Sequence, residues 1–150
     1  MRHKWKILWT ILLAGWIVFI FANSMQVAEE SAGRSGRALE LIDGVLGTVG
    51  ISWRPTEHLI RKAAHFAEYA ALGILAITSM RRFGTEGMRH IVIAAVICVL
   101  VPVADETIQY FIPGRSAQVS DVLLDCAGAF VGGLVTETVC RLSGKQKRKE

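Results

Sequence analysis

The stretch "IVIAAVICVLVPVADETIQYFIPGRS", residues 91–116, determines the fold class. An uncharged apolar run over 91–104 leads directly into two adjacent carboxylates, Asp105 and Glu106. Because a charge inside a bilayer is costly, intramembrane carboxylates face the protein interior or a polar cavity rather than lipid. The stretch therefore predicts a membrane-spanning helix with a buried polar region near one end.

Three further apolar blocks predict three more spans. Residues 7–22 and 70–80 carry no charge, and 122–139 carries only two acidic residues. With its polar end included, each block reaches the roughly 20 residues that a helix needs to cross a bilayer. We predict an all-α integral membrane four-helix bundle with spans at about 6–25, 60–80, 89–111 and 118–140. The alternative, a soluble bundle, would lack polar helix faces to present to water.

The distribution of lysine and arginine predicts the orientation of the bundle. Most of these residues fall on the side that holds both termini, which the positive-inside rule places in the cytoplasm. A basic start before an apolar run also fits a cleavable signal peptide, but cleavage would leave an odd number of spans. We predict a transmembrane domain over 1–140 and a basic cytoplasmic tail over 141–150. Anionic lipid headgroups, and not nucleic acid, are the expected partner of this tail.

The long connection at about 26–59 carries a helical apolar repeat. Leu39, Ile42, Leu46 and Val49 recur at helical spacing, with glycines on both flanks. This pattern predicts a short amphipathic helix that lies on the outer membrane surface or caps the bundle. Thr56 is predicted to be the N-cap residue of the second span, because its side chain can accept a hydrogen bond and Glu57 follows it at the positive end of the helix dipole.

The predicted spans bring ionisable residues into one layer. At a rise of about 1.5 Å per residue, Glu68 lies roughly 18 Å from the inner end of its span, Asp105 roughly 21 Å and Asp125 roughly 22 Å. His65 precedes Glu68 by one helical turn. The two residues are interpreted as a proton-transfer pair, as two metal ligands or as the source of a hydrogen bond between helices. We expect these side chains to share a polar cavity in the outer half of the membrane.

Further polar residues extend this site towards the outside. Gln109 follows Asp105 by one helical turn, so Asp105 is expected to face inward, while Glu106 reaches Arg115 or the water interface. Arg115 follows a Pro-Gly turn and suits a phosphate or carboxylate, or else pairs with Asp121. The candidate functional site comprises His65, Glu68, Asp105, Glu106, Gln109, Arg115, Asp121 and Asp125.

Two other patterns concern packing and the remaining histidines. Gly128 and Gly132 form a small-xxx-small surface that lets a neighbouring helix approach closely. His58 and His90 are predicted on the solvent side of their spans.

Three segments together resemble the VanZ-like membrane proteins: "RKAAHFAEYAALG" (61–73), "DETIQYFIPGRSAQVSDVLLD" (105–125) and "GAFVGG" (128–133). The resemblance covers roughly residues 5–140. It implies a multi-pass protein of the bacterial plasma membrane that acts at the cell envelope, with a family link to teicoplanin resistance. In the family pattern the position of Asp125 is usually asparagine, so this chain adds an ionisable group to the layer.

Three functions follow from these residues and this resemblance. The polar cavity binds a lipid headgroup or a peptidoglycan-related ligand and lowers susceptibility to teicoplanin-type glycopeptides. Alternatively, the chain is a membrane hydrolase or transferase acting on a lipid-linked substrate by general acid–base catalysis. In the third hypothesis it is a structural partner of another envelope protein. Whether the chain is an enzyme, and its oligomeric state, are left open.

No cofactor and no metal site is predicted. One histidine with several carboxylates suits a divalent ion, but the chain contains neither HExxH nor DDxxD spacing.

Overall fold

The computed structural model describes residues 2–26, 28–49, 53–83, 88–115 and 117–146. Within these ranges the chain forms five helices and no β-strand: α1 (Arg2–Ser24), α2 (Ala28–Val49), α3 (Glu57–Arg82), α4 (Arg89–Tyr110) and α5 (Val119–Gln146). Four helices are long and apolar enough to cross a membrane, over 4–24, 57–82, 89–110 and 119–143. The all-helical fold with four spans is confirmed. The cytoplasmic placement of the termini stays a prediction.

The helix predicted in the long connection is longer than its apolar repeat indicates. α2 begins at Ala28 and therefore includes Gly33 and Gly36, which the sequence pattern places before the helix. Glycine costs only about 1 kcal/mol in a helix interior, and alanine, glutamate and arginine neighbours favour the helix. α2 packs against α3. After α2, Arg54 forms a 3.2 Å ion pair with Asp43.

The start of α3 is capped as the sequence predicts. The side chain of Thr56 accepts a hydrogen bond from the backbone N–H of Leu59 at 3.2 Å. Thr56 has extended backbone angles, φ −83° and ψ 153°, as an N-cap residue requires. The following Glu57 lies in the first turn, where a negative charge favours the helix dipole.

α3 and α5 form the most extensive helix pair in the described structure. A Cβ atom added at Gly132 would lie 2.0 Å from the carbonyl oxygen of Ala70, and one added at Gly73 would lie 2.0 Å from that of Ala129. Gly128 shows the same close approach to α3. These distances mean that the two backbones touch, which only glycine permits.

α1 and α4 complete the bundle around this pair. The indole N–H of Trp16 donates to the backbone oxygen of Glu68 at 3.0 Å, and the Ser79 hydroxyl donates to the backbone oxygen of Trp9 at 2.9 Å. The buried apolar core includes Ile20, Tyr69, Leu72, Ala94 and Ala129. α5 continues to Gln146, past the predicted domain boundary at residue 140. The last residues of the predicted tail, 147–150, lie outside the described residues.

Candidate functional site

Two adjoining cavities lie at one end of the bundle, where α1 ends and α5 begins. The first has a volume of about 170 Å³ and the second about 200 Å³. Seven of the eight predicted site residues line one or both cavities: His65, Glu68, Glu106, Gln109, Arg115, Asp121 and Asp125. The eighth, Asp105, is 0% exposed and is hydrogen-bonded to residues of both linings.

The first cavity lies among α3, α4 and α5 and has an almost wholly polar lining. Its cationic side chains are Arg61, Lys62 and Arg115, and its carboxylates are Glu106, Asp121 and Asp125. Gln109 and two histidines contribute further polar atoms. An anion can therefore meet cationic groups in this cavity, while the carboxylates can accept protons or hydrogen bonds.

The second cavity lies among α1, α2 and α3. Asn23, Ser24 and Ser35 contribute to its lining together with Glu68. Arg61, His65 and Arg115 line both cavities, so these three side chains stand between them. A change at any of the three would alter both spaces.

Asp105 is held by two hydrogen-bond donors from two helices. The hydroxyl of Ser24 donates to Oδ1, and Nε2 of Gln109 donates to Oδ2 at 2.9 Å. Gln109 also lies 3.3 Å from the Ser24 hydroxyl, which closes a small network. The buried hydroxyl of Tyr69 lies beside Asp105 without meeting strict hydrogen-bond geometry. This network fixes the position of the Asp105 carboxylate between α1 and α4.

Asp125 has a different environment. It is 1% exposed, and neither of its carboxylate oxygens has a hydrogen-bond partner among the described residues. Nδ1 of His65 lies 3.8 Å from its Oδ1. Buried carboxylate oxygens in folded proteins usually have hydrogen-bond donors, so the environment of Asp125 differs from that of Asp105.

Glu106 and Asp121 have partners other than those that the sequence predicts. Glu106 accepts a hydrogen bond from the backbone N–H of Gln118 at 2.6 Å, just before α5 begins. Asp121 forms a 2.6 Å ion pair with Lys62. The sequence predicts that Glu106 reaches Arg115 or water, and offers Arg115 as a partner of Asp121. The described bonds instead use both carboxylates to connect the start of α5 to α3 and α4.

The turn between α4 and α5 directs Arg115 towards α1. Gly114 has a positive φ of 78°, which is readily accessible only to glycine. The Arg115 guanidinium donates to the backbone oxygen of Asn23 at 3.5 Å, and the Asn23 side chain donates to Glu68 at 3.2 Å. Glu68 therefore faces α1, whereas His65 faces Asp125. The predicted His65–Glu68 pair is divided between different partners.

Sequence reasoning missed the contribution of α1 to this site. Asn23 and Ser24 end an otherwise apolar span, and this polar end is a signal that could have placed them beside the carboxylates. Lys62 lies in the first segment that resembles the family but is not among the eight candidate site residues, and the structure places it in the lining of the first cavity. Neither its ion pair nor its partner can be read from the spacing alone.

A second polar cluster lies at the opposite end of the bundle. Glu137 accepts hydrogen bonds from Arg81 and Arg141, each at 2.7 Å, and lies 3.2 Å from Nε2 of His90. The prediction that His90 lies on the solvent side is wrong, because this residue is 8% exposed. The imidazole turns inward because Glu137, an acidic residue within an apolar run, lies opposite it on α5. This cluster connects the ends of α3, α4 and α5.

The fold and the site define a class of protein: a multi-pass helical membrane protein with buried carboxylates and a polar cavity at one end of its bundle. The chain belongs to the VanZ/LLP1 family, whose sequence model matches residues 9–140. The resemblance based on the three sequence segments is thereby confirmed. No curated protein matches the chain, and no solved structure matches it.

Proposed function

We propose that this chain acts at the outer face of the bacterial plasma membrane, where its first cavity binds an anionic lipid headgroup or a peptidoglycan-related ligand. Expression of the chain is expected to lower susceptibility to teicoplanin-type glycopeptides. The observation that carries this proposal is the convergence of Arg61, Lys62 and Arg115 on one cavity. The link to teicoplanin comes from the family, and the outward orientation comes from the charge distribution.

The cationic side chains of the cavity can bind an anion of modest size. Lys62 pairs with Asp121, and Arg61 and Arg115 contribute two guanidinium groups to the same lining. A guanidinium forms two parallel hydrogen bonds with phosphate or carboxylate, which an ammonium group cannot do. A volume of about 170 Å³ suits a headgroup rather than a whole lipid.

The surroundings of the cavity also fit a ligand with an apolar tail. Tyr110 and Phe111 at the end of α4, and Val119 and Leu123 at the start of α5, are all more than half exposed. In a membrane, such side chains contact lipid or lie at the interface with water. A headgroup could therefore occupy the cavity while its acyl or prenyl chain lies along these residues.

Arg115 provides the test of this proposal. We would express the wild-type chain, Arg115→Gln and Arg115→Lys in a susceptible Gram-positive host, and measure teicoplanin susceptibility alongside the amount of folded protein. Arg54→Gln is the matched control, because Arg54 pairs with Asp43 on the surface outside both cavities. We expect Arg115→Gln to lose protection, Arg115→Lys to retain part of it and Arg54→Gln to retain it fully. Protection by Arg115→Gln equal to that of the wild type, or no protection by the wild type, would contradict the proposal.

A second candidate function is hydrolysis or group transfer on a lipid-linked envelope substrate. The observation that favours it is the 3.8 Å approach of His65 to Asp125 at the same cavity, since a carboxylate can orient a histidine for proton transfer. Purified protein would be incubated with radiolabelled lipid-linked wall precursors and assayed for product. Turnover that His65→Gln abolishes would support an enzyme, and the absence of turnover by the wild type would refute it.

A further inference from the structure

We infer that His65, Asp105 and Asp125 form a binding site for one divalent transition-metal ion, of the Mn²⁺ or Zn²⁺ class. Each residue offers one ligand atom, and these atoms all lie within 4.8 Å of one another. They come from α3, α4 and α5, so the bundle itself brings them together. Metal–ligand bonds of about 2.0–2.2 Å place two ligands on opposite sides of an ion about 4 Å apart, which is close to this spacing.

The unsatisfied carboxylate of Asp125 is an independent observation that indicates a ligand. It is 1% exposed, and both of its oxygens are buried without a hydrogen-bond donor. Buried polar atoms in folded proteins are almost always paired with protein or water, or else serve a functional role. A cation between Asp125, His65 and Asp105 would satisfy an oxygen that the protein leaves without a partner.

The hydrogen bonds of Asp105 fit the role of a metal ligand. Ser24 donates to one oxygen and Gln109 to the other. Each carboxylate oxygen keeps a second lone pair, and donors of this kind orient a carboxylate for coordination. Ser24 and Gln109 would therefore be positioning residues that do not touch the ion.

The charges around the cluster also favour a cation. Within the described part of the chain, no lysine or arginine forms a salt bridge with Asp105 or Asp125. The nearby Lys62 is paired with Asp121 instead. Asp105 and Asp125 are therefore closely spaced carboxylates that no lysine or arginine neutralises by an ion pair, and Asp125 lines the first cavity.

The ligand set determines the class of metal. A neutral imidazole together with carboxylate oxygens suits Mn²⁺ or Zn²⁺. Calcium takes six to eight oxygen ligands, which one histidine and two aspartates do not supply. Three protein ligands leave coordination positions open, and His65 and Asp125 both line the first cavity, where water could fill them.

Metal binding by purified protein tests this inference without any headgroup or antibiotic, so its failure is distinguishable from failure of the proposed function. Untagged protein in detergent would be stripped with a chelator and titrated with Mn²⁺, followed by electron paramagnetic resonance, and with Zn²⁺, followed by elemental analysis after desalting. We expect one ion per chain for the wild type. Asp105→Asn and Asp125→Asn should each weaken binding at least tenfold.

Two further variants separate coordination from general charge and from folding. Asp43→Asn removes a carboxylate that pairs with Arg54 on the surface outside both cavities, and we expect it to keep binding within about threefold. Ser24→Ala keeps all three ligands but removes a positioning bond, and a tenfold loss is expected, since such losses are typically about 10–100-fold. If Asp125→Asn is not recovered as folded protein, His65→Gln carries the same expectation. No bound metal in the wild type, or equal losses in Asp43→Asn and Asp125→Asn, would overturn the inference.

Discussion

Replacing Gly132 by alanine tests whether α3 and α5 touch backbone to backbone. A Cβ at this position would lie 2.0 Å from the carbonyl oxygen of Ala70, whereas ordinary contact begins at 3.4 Å. The two helices must therefore separate by more than an ångström. Overpacking of this kind costs about 1–3 kcal/mol, and alanine returns about 1 kcal/mol through its higher helix propensity. The difference between these two values is a net loss of about 0–2 kcal/mol. Because a whole helix must move, we expect a loss of about 2 kcal/mol, at the upper end of this net range.

Equilibrium unfolding in mixed detergent micelles, followed by tryptophan fluorescence, would measure this loss. Gly15→Ala is the matched control, because a Cβ at Gly15 in α1 meets nothing within 4 Å. We expect this variant to be as stable as the wild type, or more stable by up to about 1 kcal/mol. Equal unfolding free energies for the Gly132→Ala and Gly15→Ala proteins would refute the close packing of α3 on α5.

Three further substitutions test the polar contacts by the same unfolding measurement. Ser24→Ala leaves one oxygen of the buried Asp105 without its donor, and we expect a loss of about 1–3 kcal/mol; unchanged stability would mean that this bond contributes nothing. Lys62→Met breaks the pair with Asp121, but both side chains are about one-third exposed, so we expect a loss below about 1 kcal/mol. Glu137→Gln weakens the contacts with three basic partners at the other end of the bundle, and we expect the unfolding free energy to fall by about 2 kcal/mol, more than for Lys62→Met. A larger loss for Lys62→Met would contradict the importance of that cluster.

The four spans could be predicted because their signal is local. An apolar block of sufficient length defines a membrane helix whatever its neighbours are, and a cap such as Thr56 depends on only three following residues. The start of α2 at Ala28 could not be predicted in this way, because the glycines at 33 and 36 look like helix boundaries. Their helical conformation depends on strong helix formers around them and on contact with α3.

The composition of the site was predictable, but its pairing was not. Depth along a helix follows from the rise per residue. This is why Asp105 of α4 and Asp125 of α5 could be placed at the same end of the bundle. Which donor each carboxylate meets depends on helix rotation and crossing, which spacing does not determine. Ser24 beside Asp105 and His90 beside Glu137 are contacts of this kind. The absence of a donor for Asp125 could be found only from the folded arrangement.

The buried polar groups also allow a purely structural explanation. Hydrogen bonds across helices stabilise membrane proteins, and the network around Asp105 connects α1 to α4. Under this hypothesis the chain would serve as a partner of another envelope protein, and the carboxylates would matter only through folding. The cationic side chains that line the first cavity and the unsatisfied oxygens of Asp125 instead favour a role of these residues in ligand binding.

The most direct test of a role in ligand binding compares protection against teicoplanin with the amount of folded protein in the same strains. The wild type, Glu68→Gln and Asp105→Asn would be expressed in a susceptible Gram-positive host, with folded protein measured by fluorescence-detected size exclusion in detergent extracts. Teicoplanin susceptibility would then be measured for each strain. Our account predicts that the variants accumulate as folded protein but lose protection. Protection that falls only in proportion to folded protein would contradict it and identify the polar layer as a packing feature.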